Sequence, residues 1–154
     1  VKAMFGSIYY SKLKSLNLDY NTINTIDMSG MEDQHIIDSS YMFADCTALE
    51  NLSISTWDHW WMNDANHMFY NCTSLTTAPE LPASTLAESC YQQMFYNCSA
   101  LTSITCLATD MSATSCTTNW VSWCSSTGTF TKAKGVTWAT GNSGIPSKWK
   151  VVEK

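Results

Sequence analysis

The sequence predicts an α/β fold: a right-handed solenoid of about five 26-residue strand–helix rungs, closed by a C-terminal cap. Three observations predict it. The eight-residue stretch MFADCTAL at Met42–Leu49 returns as MFYNCTSL at Met68–Leu75 and as MFYNCSAL at Met94–Leu101, a spacing of 26 each time with no insertion or deletion. A fixed period in this range marks stacked repeats, in which no rung buries its apolar side alone. Each copy is followed by an alternation of apolar and polar residues, as expected of a short half-buried strand. The ladder then gives way to a glycine- and tryptophan-rich tail, suited to covering the last apolar rung.

Taken in order, the first rung is decayed, with Leu16 on the methionine column, Tyr20 on the cysteine column and Ile23 on the leucine column. Its strand alternates through Ile23, Ile26 and Met28, a pattern repeated at Leu49, Leu52 and Ile54 and at Leu101, Ile104 and Cys106. A polar stretch and a short helix ending in Met-Phe should follow each strand. The helix of the third rung is expected to be the longest, with Ser84 as its N-cap and Leu86, Cys90 and Met94 along one face. Asp45, Asn71 and Asn97 precede the cysteines, and Asp and Asn tolerate the left-handed conformation in which a helix stops. The third strand contains Pro79, which has no N–H to donate, so the ladder should be broken there. Trp120, Cys124 and Thr127 continue the columns into a last, decayed rung. The solenoid is placed at residues 1–127 and the cap at 128–154, one structural domain, with Phe130, Val136, Trp138, Ile145 and Trp149 covering the end.

Composition narrows the function classes. The net charge is −5, there is no arginine, and twelve of the thirteen acids lie between Lys14 and Lys132 without a lysine among them. Phosphate recognition needs clustered cations, so nucleic acid is rejected as a partner. No run approaches the ~18 apolar residues of a membrane-spanning helix. The opening VKAMFGSIYY is not a signal peptide, and it falls inside a repeat period, which suggests that further sequence once preceded it. Of the seven cysteines, Cys46, Cys72, Cys98 and Cys124 share one column and read as buried free thiols. Cys90 and Cys116 are also 26 residues apart. Stacked helices at ~8–10 Å would hold them beyond the reach of a favourable disulfide. No Cys-x-x-Cys pair or histidine spacing points to zinc, and no cofactor is implied.

The L-x-x-L-x-I strand, the M-F-x-x-C-[TS]-x-L turn, the segment LTTAPELPASTLAESCYQQMF and the closing GNSGIPSKW resemble the BspA-like leucine-rich-repeat surface proteins of anaerobic bacteria. The likeness runs from about Leu16 to Val151. It implies a leucine-rich-repeat fold, an extracellular or outer-surface location, and adhesion to a host or cell-surface protein or glycan. It carries over no catalytic motif.

Two candidate sites follow from the residues themselves. Solvent-side strand positions form a polar strip that includes Thr25, Asp27, Asn51, Ser53, Thr77, Ser103, Thr105, Thr129 and Thr131. This is either a hydroxyl-rich face for a glycan or peptide, or simply what keeps an exposed sheet soluble. Five short strands would cover only ~320 Å², against ~800 Å² per partner in a standard interface. The second candidate is Trp57 and Trp61, with Asp58 and His59 as polar neighbours. Their columns demand no apolar residue in other rungs, and aromatic residues dominate hot spots and sugar-stacking surfaces. The alternative is an apolar patch packed beneath a loop. Asp58 and Asp64 lack the Asp-x-Asp-x-Asp-Gly pattern of a calcium loop, and no nucleophile elbow or phosphate loop suggests an enzyme. The expected function is a surface binding or adhesion module. A structural spacer or stalk, or the receptor-binding part of a phage fibre, are the alternatives.

Overall fold

The computed structural model of the chain describes residues 22–27, 38–53 and 64–154. Among these residues the regular elements are five short strands: β1 (Thr25–Asp27), β2 (Asn51–Ser53), β3 (Ser103–Cys106), β4 (Thr129–Lys132) and β5 (Lys150–Glu153). β1 and β2 form one parallel pair, and β3, β4 and β5 form a three-stranded parallel sheet in that order. The register keeps the 26-residue period: Thr25 faces Asn51, and Ser103 faces Thr129. Between the two sheets the pairing is reduced to isolated bridges, Thr77 with Ser103 and Leu81 with Cys106. Pro79 lies between them. The offset changes from 26 to 25 residues across it, as expected where one residue cannot join a ladder.

The expected solenoid of strand–helix rungs is overturned, and the leucine-rich-repeat description with it. Among the described residues there is no helix, only short parallel strands in two small sheets. The segments expected to be helical are runs of overlapping turns. Met42, Ala44 and Cys46 each donate their N–H to the carbonyl three residues back. The N–H groups between them leave the segment altogether: Ser39, Tyr41, Phe43 and Asp45 donate to Asp64, Asn66, Met68 and Tyr70. The same alternation joins the segment from Ala65 to the one from Cys90, and joins the segment from Ser89 to the one from Thr114. A helix needs every interior N–H for the carbonyl four residues back. Here half of them stitch one tier to the next, so every backbone donor in the run is used without a helix.

Backbone dihedrals show how the turns close. Positive φ recurs every fourth residue, at Tyr41 and Asp45, at His67 and Asn71, at Ser89, Gln93 and Asn97, and at Ser115, Asn119 and Trp123. Between successive such residues of a tier lies a buried pair, such as Met68–Phe69, Met94–Phe95 and Trp120–Val121. The repeat is thus four residues long. Over three turns a period of 4 drifts from a helical 3.6 by only about one residue, which is why Leu86, Cys90 and Met94 read as one helical face. They are buried as expected, but along a stack of turns. Ser84 caps no helix; its carbonyl accepts from the N–H groups of Thr109 and Asp110.

The core lies between the turn stack and the strands. Phe43, Phe69 and Phe95 stack at 5.4 Å between successive ring centroids, close to the spacing of hydrogen-bonded chains and far below that of packed helices. Beneath them run Cys46, Cys72 and Cys98, all buried, and Cys124, half-buried; all seven cysteines are free. Cys72, Cys98 and Cys124 each direct Sγ to the carbonyl of the phenylalanine one tier down, at 3.1, 3.0 and 3.3 Å. A small apolar side chain with a weak donor suits that position. Because tiers sit this close, the helix-spacing argument against a Cys90–Cys116 bridge does not apply. Both are nevertheless buried free thiols.

In the last tier, Trp120 replaces methionine and stacks on Trp138, with centroids 5.5 Å apart, while its indole N–H donates to the Gly144 carbonyl. Phe130, Trp138, Ile145 and Trp149 are buried and Val136 is half-buried. The 141–145 turn supplies acceptors to the tier beneath: Val121 N–H reaches the Asn142 carbonyl and Thr117 Oγ1 reaches that of Ser143. Gly128 is needed where β4 begins, since a Cβ there would stand 2.5 Å from the Thr102 carbonyl oxygen and 2.7 Å from the Trp149 ring.

Candidate functional site

The strand side places part of the predicted strip in line. Asn51 and Ser53 are exposed on β2, facing Thr25 and Asp27 of β1. Thr77 is exposed and bridges to Ser103, which with Thr105 is half-buried on β3. Thr129 and Thr131 continue the two rows on β4. The strip is divided by the break at Pro79 into the two sheets. Trp57, Asp58, His59 and Trp61 lie outside the described residues.

The outward face of the turn stack carries a second ordered row. Tyr41 stacks on His67 with centroids 4.5 Å apart and planes within 9°, and Tyr70 stacks on Tyr96 at 5.1 Å. One His67 nitrogen faces Asn66 Oδ1 at 2.9 Å and the other Gln93 Oε1 at 2.8 Å. Partial burial lowers the His67 pKa from its ordinary value, against the opposing pull of Gln93 and Asp64. The amides of Asn71 and Asn97 donate to Asp45 and Asn71 in turn, at 3.0 and 2.7 Å, forming a ladder along the positive-φ column.

That column ends in a residue of another kind. Trp123 stands where lower tiers carry Asp45, Asn71 and Asn97, at φ +64°, and is 71% exposed. Positive φ is a genuine outlier for a bulky side chain, costing on the order of 1–2 kcal/mol. Trp123 lines an open groove of about 250 Å³ together with Ser125, Asn142, Pro146, Ser147 and Lys148. This site was missed from sequence, although one signal was readable: the column of Asp and Asn switches to Trp one residue before Cys124.

Burial pushes the thiols of Cys46 and Cys124 up to about 12, and those of Cys72 and Cys98 well above the ordinary thiol range, so neither set supplies a thiolate nucleophile at neutral pH. Among the described residues no three His, Cys, Asp or Glu side chains converge on a metal-sized site. No helix among them is long and apolar enough to cross a membrane.

Residues 2–106 match the family described as Mycoplasma protein of unknown function, DUF285, about two thirds of the chain. The chain belongs to the DUF285 family. The matched DUF285 segment takes in the turn tiers through Cys98 and strands β1 to β3. Trp123 and its groove lie beyond it. No curated protein and no solved structure matches the chain.

Proposed function

We propose that this chain is a non-catalytic binding module of a bacterial surface or secreted protein, recognising an extracellular protein or glycan through the strand-side strip. The observation that carries this reading is the register of that strip. Hydroxyl and amide side chains at Thr25, Asn51, Thr77, Ser103 and Thr129 occupy equivalent positions along the repeat, and the first three are exposed. Two runs of hydrogen-bonding groups at strand spacing, Thr25 with Asn51 and Thr77 through Ser103 to Thr129, suit an extended ligand with its own repeat of polar groups. The likeness of the M-F-x-x-C turn to surface proteins of anaerobic bacteria is a second support. Presenting the chain to an array of glycans and extracellular-matrix proteins tests the reading. Binding is expected, and the double variant Asn51→Lys, Thr77→Lys, with both positions exposed, should abolish it while the fold remains. No binding at high concentration would leave a structural spacer as the function.

A further inference from the structure

We propose that the groove beside Trp123 is a second, separate binding site, which takes a saccharide whose sugar ring bears a carboxylate. Trp123 stands at a position that the tiers beneath fill with other residue types. Its column requires positive φ, and the tiers beneath satisfy that with Asp45, Asn71 and Asn97, residue types that tolerate it. Trp123 adopts φ +64° and is left 71% exposed. The backbone strain buries little in return, so packing does not explain the residue. The stack imposes positive φ at each such position; what is particular to Trp123 is a large, exposed aromatic face of the kind that dominates binding contacts, and it lines the groove of about 250 Å³.

The groove's other walls define the ligand. An exposed indole offers a flat apolar face, which suits the C–H face of a pyranose ring. Ser125, Ser147 and Asn142 bring hydroxyls and an amide, donors and acceptors that match ring hydroxyls. Lys148 adds a cation, and among the described residues it forms no ion pair. It belongs to a basic end: residues 111–154 hold five lysines and one glutamate, in a chain whose net charge is −5. An acidic sugar is therefore drawn to this end of the molecule and repelled by the rest. The volume falls below the ~300–1,000 Å³ of drug-sized pockets, so one or two sugar units fill it, and a folded protein partner would find too little area.

Calorimetric titration of the full chain with a hyaluronan tetrasaccharide, and with cellotetraose as its uncharged counterpart, tests the proposal. The acidic sugar is expected to bind and the neutral one to bind more weakly. Trp123→Asn should lower affinity ~30-fold or more with a melting temperature equal to or above that of the wild type. Trp123→Phe, which keeps a ring on the same backbone, should fall between the two. Lys148→Gln should cost at most about fivefold and erase the preference for the acidic sugar. Equal binding by wild type, Trp123→Phe and Trp123→Asn overturns the proposal, as does failure of the wild type to bind or to prefer the acidic sugar. The Asn51→Lys, Thr77→Lys variant must bind the tetrasaccharide as the wild type does; loss in that variant would move the ligand to the strand side and overturn the second site alone.

Discussion

The turn side and the strand side share one 26-residue period, yet they hold it to different degrees. On the turn side, hydrogen bonds run unbroken from the tier at Ser39–Asp45 through those at Ala65–Asn71 and Ser89–Asn97 to Ser122. Phenylalanines, cysteines and asparagines repeat there in columns. On the strand side, pairing stops after β2 and resumes only through isolated bridges before β3. The difference teaches where register is stored. Strands of three or four residues offer few bonds, and a proline can interrupt them. A stack of turns uses every second N–H for the same purpose and adds a buried pair at each four-residue step.

The largest test of this comparison is in the core. Phe69 is fully buried between Phe43 and Phe95, so Phe69→Ala should cost about 3–5 kcal/mol in urea unfolding. Leu52, half-buried on β2, should cost only about 1–2 kcal/mol when cut to alanine. Equal losses would mean that the strand side bears as much of the fold as the turn side.

A smaller effect is expected from the thiol column. Cys98 is buried and donates to the Phe69 carbonyl at 3.0 Å. Cys98→Ala should cost about 1–2 kcal/mol from lost packing and one weak bond. With burial holding Cys72 and Cys98 protonated, both should resist alkylation until the chain unfolds globally. Rapid labelling of either in native buffer would show that the tiers open locally.

Much of this was legible in the residues and some was not, for physical reasons. The period, the parallel register, the burial of Met68, Phe69, Cys72 and Leu75, and the disruption at Pro79 all follow from side chains that repeat or fail to repeat. Helix was the wrong inference because side-chain burial at a period of 4 and at 3.6 looks alike over a dozen residues. What separates them is the destination of each N–H, which apolar pattern does not encode. The asparagines did encode it: Asn71 and Asn97 are at positive φ as expected. They mark one of several such positions in each tier, however, and Tyr41, His67 and Gln93 adopt the same conformation with side chains that give no warning. Of the candidate sites, the strand-side strip could be placed residue by residue, whereas the Trp123 groove depends on Asn142 and Lys148 folding back from the tail.

Substitution at Asn97 separates the turn stack from a helix by sign. Alanine favours a helix over asparagine by roughly 0.5 kcal/mol, so in a helix Asn97→Ala would stabilise. In the stack, Asn97 sits at φ +59° and bonds through its amide to Asn71. Alanine should therefore destabilise by about 1 kcal/mol, and glycine, which adopts positive φ freely, by only a few tenths. Denaturant midpoints for the two variants decide the matter, and a stabilised Asn97→Ala would restore the helix.

The smallest expected effect concerns pH and the aromatic row on the turn face. His67 is held below its ordinary pKa of 6.5, chiefly because partial burial disfavours the charged ring. The folded state then takes up a proton less readily than the unfolded chain between that lowered value and 6.5. Stability contributed by the neutral ring is whole above the unfolded value and is lost as pH falls through 6.5 towards the folded pKa. Asp110 and Glu153 do not blur this window. Hydrogen bonds from Ser112, and from Lys132 and Gly135, hold their carboxyls below the ordinary range, so their contribution fades only in more acid solution. His67→Gln removes the titrating ring while leaving an amide able to meet Gln93. The difference in melting temperature between wild type and variant should be constant above about pH 7 and should shift against the wild type as pH falls below 6.5. A constant difference across the whole range would mean that the ring, stacked on Tyr41 and beside Tyr70, is as well accommodated charged as neutral, with the oxygens of Asn66 and Gln93 accepting from both nitrogens of the imidazolium.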